Sequence, residues 1–438
     1  MSSAAKQIVH SVWQRRWSPE LWLLASNLLA RLLGFVVSLL VSRMLGVQAL
    51  GMYSGLLITT ASPTTPMASA LANNATMMAA RAARPDLCWA LVWAHRGPLL
   101  FSSFLALGGC AAMMQVVGLH AAVGLDWTLV LGVSALLVLG QLLTPFIMGL
   151  AHGVNASLRA AVWSLMWTGM ALLMLYPLIN GWGLPGVLWQ AAVVAILPAM
   201  TMLVWMWWRG RHQSARLDAD ASHALRSQAN EQFRQAMPSI SATVLNNATN
   251  WLACIYLAER SHGAAGVGLV AIGLQWMALM LLPLTSWNGR VMRALTIGHA
   301  EGPQAFKLVL MAQIKRCVLV TLAVSGLVAV STPWIADLYR VEQHLLWGLL
   351  VVNAAAATLF AVTFVFERAC YCLGNQGVWL RVSMVAYAMQ LIFTFSFIDH
   401  SIAVVAIGNL LAITVLLVAM RWIIWRDVRA LQPAQGQP

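Results

Sequence analysis

The run LWLLASNLLARLLGFVVSLLVSRMLGVQALGMYSGLLITTASPTTPMASALANNATMMAAR, Leu21–Arg81, decides how the rest of this chain is read. Between Trp22 and Val41 the only charged residue is Arg31. About 20 apolar residues are what the roughly 30 Å hydrocarbon core of a bilayer demands of a helix. The run therefore predicts a membrane-spanning helix with an arginine near its middle. Asn27, Arg31, Gly34 and Ser38 recur at intervals of four, three and four residues. On a helix they share one stripe, with Leu and Val over the remainder, and such a stripe faces protein or water rather than lipid. A guanidinium at that depth costs at least about 2.5–3.5 kcal/mol, which marks it as a functional group lining a cavity, with pairing inside a helical bundle as the structural alternative.

Composition extends this reading to the whole chain. Of 438 residues, 61% are hydrophobic and 9% charged, against about 25% charged in a soluble domain; the mean hydropathy is +0.77. The fold class is all-α, a polytopic membrane protein. A net charge of +13 does not point to nucleic acid, because the basic residues are scattered between apolar spans without a continuous stripe. Cys370-Tyr371-Cys372 falls short of the four ligands of a zinc site, and no His cluster completes it. The chain has no GxxxxGK[ST] phosphate loop, so it carries no means of hydrolysing ATP by that route. Asp218-Ala219-Asp220 has the spacing of a sugar-nucleotide transferase motif but lacks the surrounding soluble domain that motif requires. Lys6, Arg15 and Arg16 precede an apolar run too long for a cleaved signal, which reads as a retained first helix. Trp13 and Trp17 suit an approach along the membrane surface over residues 1–20.

Hydropathy predicts twelve spans, at about 21–42, 48–72, 97–117, 127–150, 160–180, 184–208, 238–258, 265–287, 316–336, 344–366, 378–398 and 401–424. Twelve spans put both termini on one side. With that side cytoplasmic, all but four of the 26 Lys and Arg residues fall there, as the positive-inside rule requires; the exceptions are Arg31, Arg43, Arg260 and Arg340. The expected organisation is an N-terminal six-helix bundle over 1–208, a cytoplasmic linker over 209–237 and a C-terminal six-helix bundle over 238–438.

The two halves repeat at one constant offset, which pairs Arg43 with Arg260, Gly51 with Gly268, Pro66 with Pro283, and Asn73 with Arg290. One residue out of that register, Thr243, Asn247, Asn250 and Cys254 reproduce the spacing of Asn27, Arg31, Gly34 and Ser38. Transporters built of two repeated halves hold substrate at the repeat interface and alternate access by rocking the halves. Prolines at 63, 66, 98, 145, 198 and 283 are expected to interrupt helices and let them bend.

The order Asn27, Arg31, apolar helix, Leu45-Gly46-x-x-x-Leu50-Gly51-x-Tyr53 and a polar-punctuated second helix resembles the start of lipid-linked polysaccharide flippases of the O-antigen type. These belong to the multidrug/oligosaccharidyl-lipid/polysaccharide (MOP) exporter superfamily, which also contains the MATE drug exporters. The resemblance implies a non-enzymatic flippase of a bacterial inner (plasma) membrane, both termini cytoplasmic. It would carry an undecaprenyl-pyrophosphate-linked oligosaccharide, a unit of O-antigen, lipopolysaccharide or a related surface polysaccharide, to the periplasmic leaflet. Its partners would be that lipid-linked oligosaccharide, membrane lipids, a polysaccharide polymerase and a chain-length regulator. In that picture Arg31 and Arg290 attract the pyrophosphate, while Asn27, Asn73, Asn74, Asn247 and Asn250 contact sugar. For Arg290 anchoring of a helix end is an equally good reading, and for the span-seven amides so is interhelical hydrogen bonding. No cofactor is implied; Glu367 is the best-placed carboxylate for coupling to H+ or Na+, because no Asp or Glu lies near the centre of any span. An ion-coupled MATE-like antiporter is the rival reading, and a glycan polymerase or glycosyltransferase the weaker one, since every external loop is short.

Overall fold

The structure is a computed structural model that describes residues 19–82, 87–117, 127–154, 156–210, 219–260 and 263–430. The surface approach over 1–18 and Asp218 of the Asp-Ala-Asp triplet lie outside the described residues. Among the described residues the regular structure is helical throughout, with no strand. In chain order the helices are α1 (Pro19–Leu45), α2 (Val47–Ala82), α3 (Cys88–Ala94), α4 (Arg96–Val117), α5 (Trp127–Gly153), α6 (Ser157–Gly210) and α7 (Ala219–Glu259). They continue with α8 (Gly263–Met280), α9 (Leu282–Glu301), α10 (Pro303–Val330), α11 (Thr332–Tyr339), α12 (Gln343–Cys372), α13 (Gln376–Phe397) and α14 (Ala403–Ala430).

Eight stretches of the described residues are long and apolar enough to cross a membrane. One of them, in α6, is two helices: Gly183 at φ 59°, ψ −137° folds the chain between two arms, a conformation that only glycine adopts without strain. With α1, α2 and α7 the described helices therefore supply twelve membrane-length segments. This is the all-α polytopic architecture expected from hydropathy.

The helices group into two compact units, Met1–Val37 with Thr59–Met237 and Ser38–Ile58 with Pro238–Pro438. The hairpin 38–58, which the sequence reading places in the first bundle, thus counts with the second unit; α1 changes unit between Val37 and Ser38.

In the first unit the arms of α6 pair with each other and with α5. Gln190 Nε2 donates to the Ala171 carbonyl at 2.6 Å, and Trp167 Nε1 to Thr201 Oγ1 at 3.3 Å. Thr144 Oγ1 donates to the Ala195 carbonyl at 2.7 Å. Small residues allow these approaches, as is usual where helices associate in lipid without a hydrophobic drive. A Cβ on Gly140 would lie 2.6 Å from the Ala195 backbone, and one on Gly149 2.4 Å from the Ala72 carbonyl.

The second unit has an apolar centre where Leu284, Leu295, Phe306, Phe364, Phe366 and Met420 converge from α9, α10, α12 and α14. Its hairpin repeats the chemistry of small residues. A Cβ on Gly51 would sit 1.9 Å from the Ala264 carbonyl oxygen, and one on Gly268 2.6 Å from the Val47 carbonyl oxygen. Val47 and Ala264 are themselves equivalent in the repeat, standing at the same offset as Gly51 and Gly268. These two approaches are therefore the same contact seen from each repeat.

Two expectations are corrected. Pro63, Pro66, Pro145 and Pro198 lie inside continuous helices. Membrane helices tolerate internal proline where neighbouring hydroxyls and adjacent helices satisfy the freed backbone groups. Hydroxyls are dense around Pro63 and Pro66, where Thr64 Oγ1 donates to the Thr60 carbonyl. Residues 219–237, read as linker, are the first turns of α7. Their Ala, Gln, Arg and Glu content favours helix, and Ala229 and Phe233 are buried on one face, Phe233 edge-on to Phe101. On the open face Glu231 accepts from Gln235 and Arg234, which hold its carboxyl below the ordinary range.

Candidate substrate-binding site

The sequence-derived residues divide between the units: Asn27, Arg31, Asn73 and Asn74 belong to the first, Asn247, Asn250, Arg290 and Glu367 to the second.

In the first unit Arg31 sits near the middle of α1 and is half-buried. Asn27 is on the same helix, its side chain outside the described residues. Further along the stripe Gly34 is exposed, whereas Ser38 belongs to the second unit and is buried. Asn73 and Asn74, in the last third of α2, differ sharply. Asn73 is exposed, and Asn74 is 3% exposed with its Nδ2 donor lacking an acceptor. This end of α2 is braced on α5, because Thr76 Oγ1 donates to the Ala72 carbonyl at 2.8 Å and the Gly149 carbonyl at 3.0 Å. The arrangement presents a cation and amides. No Asp or Glu occurs in residues 21–85 or 127–217.

In the second unit the span-seven amides form a ladder. Asn250 Nδ2 donates to Asn246 Oδ1 at 3.2 Å, and Gln390 Nε2 of α13 donates to Asn250 Oδ1 at 3.0 Å. Asn247 stands beside it, half-buried. The ladder ends at Gln390 Oε1, which is buried without a donor. The reading of Asn250 as interhelical glue thus has a geometric basis.

Glu367 and Arg368 form an ion pair, their side chains 20% and 18% exposed. Arg368 Nε also donates to Asn288 Oδ1 at 2.9 Å, and its guanidinium lies 4.2 Å from the Phe364 ring centre. The carboxylate chosen for coupling is therefore balanced by its sequence neighbour, and that neighbour ties α12 to α9. Arg290 lies in α9 two residues beyond Asn288, its side chain outside the described residues.

One buried polar centre escaped the sequence reading. Ser38 Oγ donates to Gln275 Oε1 at 2.7 Å and lies 3.2 Å from the Tyr339 hydroxyl, which is itself 3.4 Å from Gln275 Oε1. Ser42 Oγ donates to the Tyr339 carbonyl at 3.0 Å, and Arg43 Nε to the Leu338 carbonyl at 2.7 Å. Tyr339 is fully buried at the end of α11, where Arg340 at φ 55° closes the helix. The stripe position of Ser38 was the signal; its partners, far along the chain in the other half of the sequence, carried none.

No protein-family model matches the chain, and no curated protein matches it in sequence. Solved structures do match in fold. An inward-facing multidrug resistance MATE transporter of the MOP superfamily superposes with a TM-score of 0.72 at 15% identity, over 93% of this chain and 96% of that one. A MATE protein in complex with MaL6 gives 0.67 at 14% identity, over 94% and 95%. A MOP transporter from Pyrococcus furiosus, described as having a binding pocket of reverse polarity that suggests a different function, gives 0.65 at 14% identity, over 95% of each chain. The fold is thus one that MATE transporters of the MOP superfamily adopt.

Proposed function

We propose that this chain is a flippase that moves an anionic, lipid-linked oligosaccharide of the undecaprenyl-pyrophosphate class from the cytoplasmic to the periplasmic leaflet of a bacterial inner membrane. The observation that carries the reading is Arg31, a half-buried cation in the middle of a membrane-length helix. A guanidinium offers a phosphate two parallel charge-assisted hydrogen bonds, and amides at Asn73, Asn74 and Asn247 offer sugar hydroxyls both donors and acceptors. Sugar and phosphate cannot cross hydrocarbon unsolvated, so a polar route lined by such groups is what the substrate requires. The reverse-polarity pocket described for the Pyrococcus furiosus neighbour supports the view that this fold is compatible with more than one pocket polarity.

An ion-coupled antiporter of cationic compounds is the second reading, favoured by the likeness to multidrug MATE proteins. Glu367 would then be the coupling group, exchanging its bond to Arg368 for H+ or Na+.

Reconstitution separates the two. With fluorescent lipid-linked oligosaccharide in proteoliposomes, Arg31→Ala should reduce flipping at least about tenfold while Arg31→Lys keeps part of it, since lysine retains the charge and loses the paired geometry. Unchanged flipping by the alanine variant would remove Arg31 from the route. Uptake of a cationic dye by the native protein, with no movement of lipid-linked sugar, would establish the antiporter instead.

A further inference from the structure

At the shared end of the two arms of α6, two arginines converge on one indole. Arg159 enters from the start of the first arm and Arg209 from the end of the second, their guanidinium carbons 5.1 and 5.7 Å from the Trp205 ring centre. Each cation–π contact is favourable, yet the two like charges repel. Among the described residues neither has an ion pair. Both arginines are exposed, and around them lies an apolar surface open to the outside: Val204 and Trp208 are each 63% exposed and Leu158 48%. On a membrane-spanning bundle that surface meets lipid, and Trp with Arg at the end of such a surface occupies the headgroup level.

The repeat preserves the tryptophans and the arginine that ends the helix. Trp205, Trp208 and Arg209 correspond, at the offset that pairs Arg43 with Arg260, to Trp422, Trp425 and Arg426. Arg426 lies 5.4 Å from the Trp422 ring centre, and Lys307 5.2 Å from that of Trp425. Hydropathy alone asks only that basic residues end the helices. It does not ask that Trp-x-x-Trp-Arg recur in register with a second cation brought in from another helical segment each time. Two differences separate the copies: the second cation, Lys307, lies on Trp425, the counterpart of Trp208 rather than of Trp205, and Asp427 follows Arg426 where Gly210 follows Arg209.

We propose that Arg159, Trp205 and Arg209 form a binding site for the phosphate of an anionic phospholipid, and that Trp422, Trp425, Arg426 and Lys307 form its weaker counterpart. The indole sets the spacing of the two guanidiniums, a phosphodiester between them accepts charge-assisted hydrogen bonds from both, and the acyl chains lie along the exposed face of α6. Asp427, the next residue in sequence, lowers the net positive charge of the second site. This assignment does not depend on what the chain transports.

The test uses the full-length purified protein and phosphatidylglycerol. Native mass spectrometry should find phosphatidylglycerol retained in preference to phosphatidylcholine. Each arginine-to-glutamine change at 159 or 209 should weaken retention about fivefold, and the double variant about 25-fold. Arg426→Gln should have the smaller effect. Trp205→Leu, which leaves both charges and removes the spacer, should behave like loss of one arginine. Thermal unfolding in vesicles provides the control: phosphatidylglycerol should raise the midpoint of the native protein above its value in phosphatidylcholine, and this difference should vanish in the double variant whatever its own stability. Equal retention by the double variant would overturn the site. Equal stabilisation by inorganic phosphate in phosphatidylcholine vesicles would overturn the lipid assignment.

Discussion

The helix that follows the first re-entry turn and the one that follows its repeat begin alike and end differently. Both carry an arginine before the turn, Arg43 and Arg260, and a glycine in close mutual contact, Gly51 and Gly268. Both then meet a proline at the same register, Pro66 and Pro283. Yet α2 runs unbroken for 36 residues, while its counterpart stops at Met280 and restarts as α9 at Leu282, with Pro283 in the first turn. The residues before the prolines explain the divergence. Thr59, Thr60, Ser62, Thr64 and Thr65 surround Pro63 and Pro66, where Met277-Ala278-Leu279-Met280-Leu281-Leu282 precedes Pro283. A proline orphans the carbonyl four residues back; the stretch around Pro63 and Pro66 is rich in hydroxyls that can serve freed backbone groups, and the six residues before Pro283 carry none. Duplication has kept the positions where backbones touch and released the polar chemistry to drift.

The glycine pair offers the largest test of what was kept. Gly51→Ala should destabilise the detergent-solubilised protein by about 3 kcal/mol or more and Gly268→Ala by about 1–3 kcal/mol, because a backbone carbonyl cannot move aside and the first clash is the tighter. Thermal unfolding ranks them; a reversed order would break the comparison. The amide ladder tests what drifted. A double-mutant cycle with Asn250→Ala and Gln390→Leu should return a coupling of about 0.6–1.7 kcal/mol. Strict additivity would mean that the ladder is idle and Asn250 is at liberty to meet a substrate. The smallest effect belongs to the hydroxyls: Thr64→Val should cost only a few tenths of a kcal/mol. It should also shorten the distance between spin labels at positions 50 and 80 by bending α2 at Pro63. A distance that does not change would show that packing alone keeps this helix continuous.

Much of the architecture is legible in the sequence, because a hydrocarbon solvent leaves a chain few options. Apolar runs mark the segments, the gap between the spans at 160–180 and 184–208 marks the fold-back of α6, and the constant offset between the halves marks the duplication. Three things were not legible. The polar stretch before Pro238 looks like linker, since Phe233 is a single apolar cue among charged residues. The Tyr339 network joins residues too distant for any periodicity to relate. The Trp205 and Trp422 clusters stand in register at the repeat offset, but tryptophan at the end of a span is so common that its recurrence means little until ring geometry distinguishes it. Of the candidate site, the residue types were legible and their engagement was not: spacing alone cannot tell that Gln390 of another helix donates to Asn250.

The reciprocal approach of Gly51 to Ala264 and of Gly268 to Val47 ties the two repeats to each other. A surface that meets its own equivalent, each residue facing the partner of the other, is the signature of a two-fold dimer. Here both sides of that contact belong to one chain, and at these four positions a change on one side has to be accommodated by the other. The seam is therefore where the single chain remains bound by the symmetry of a pair.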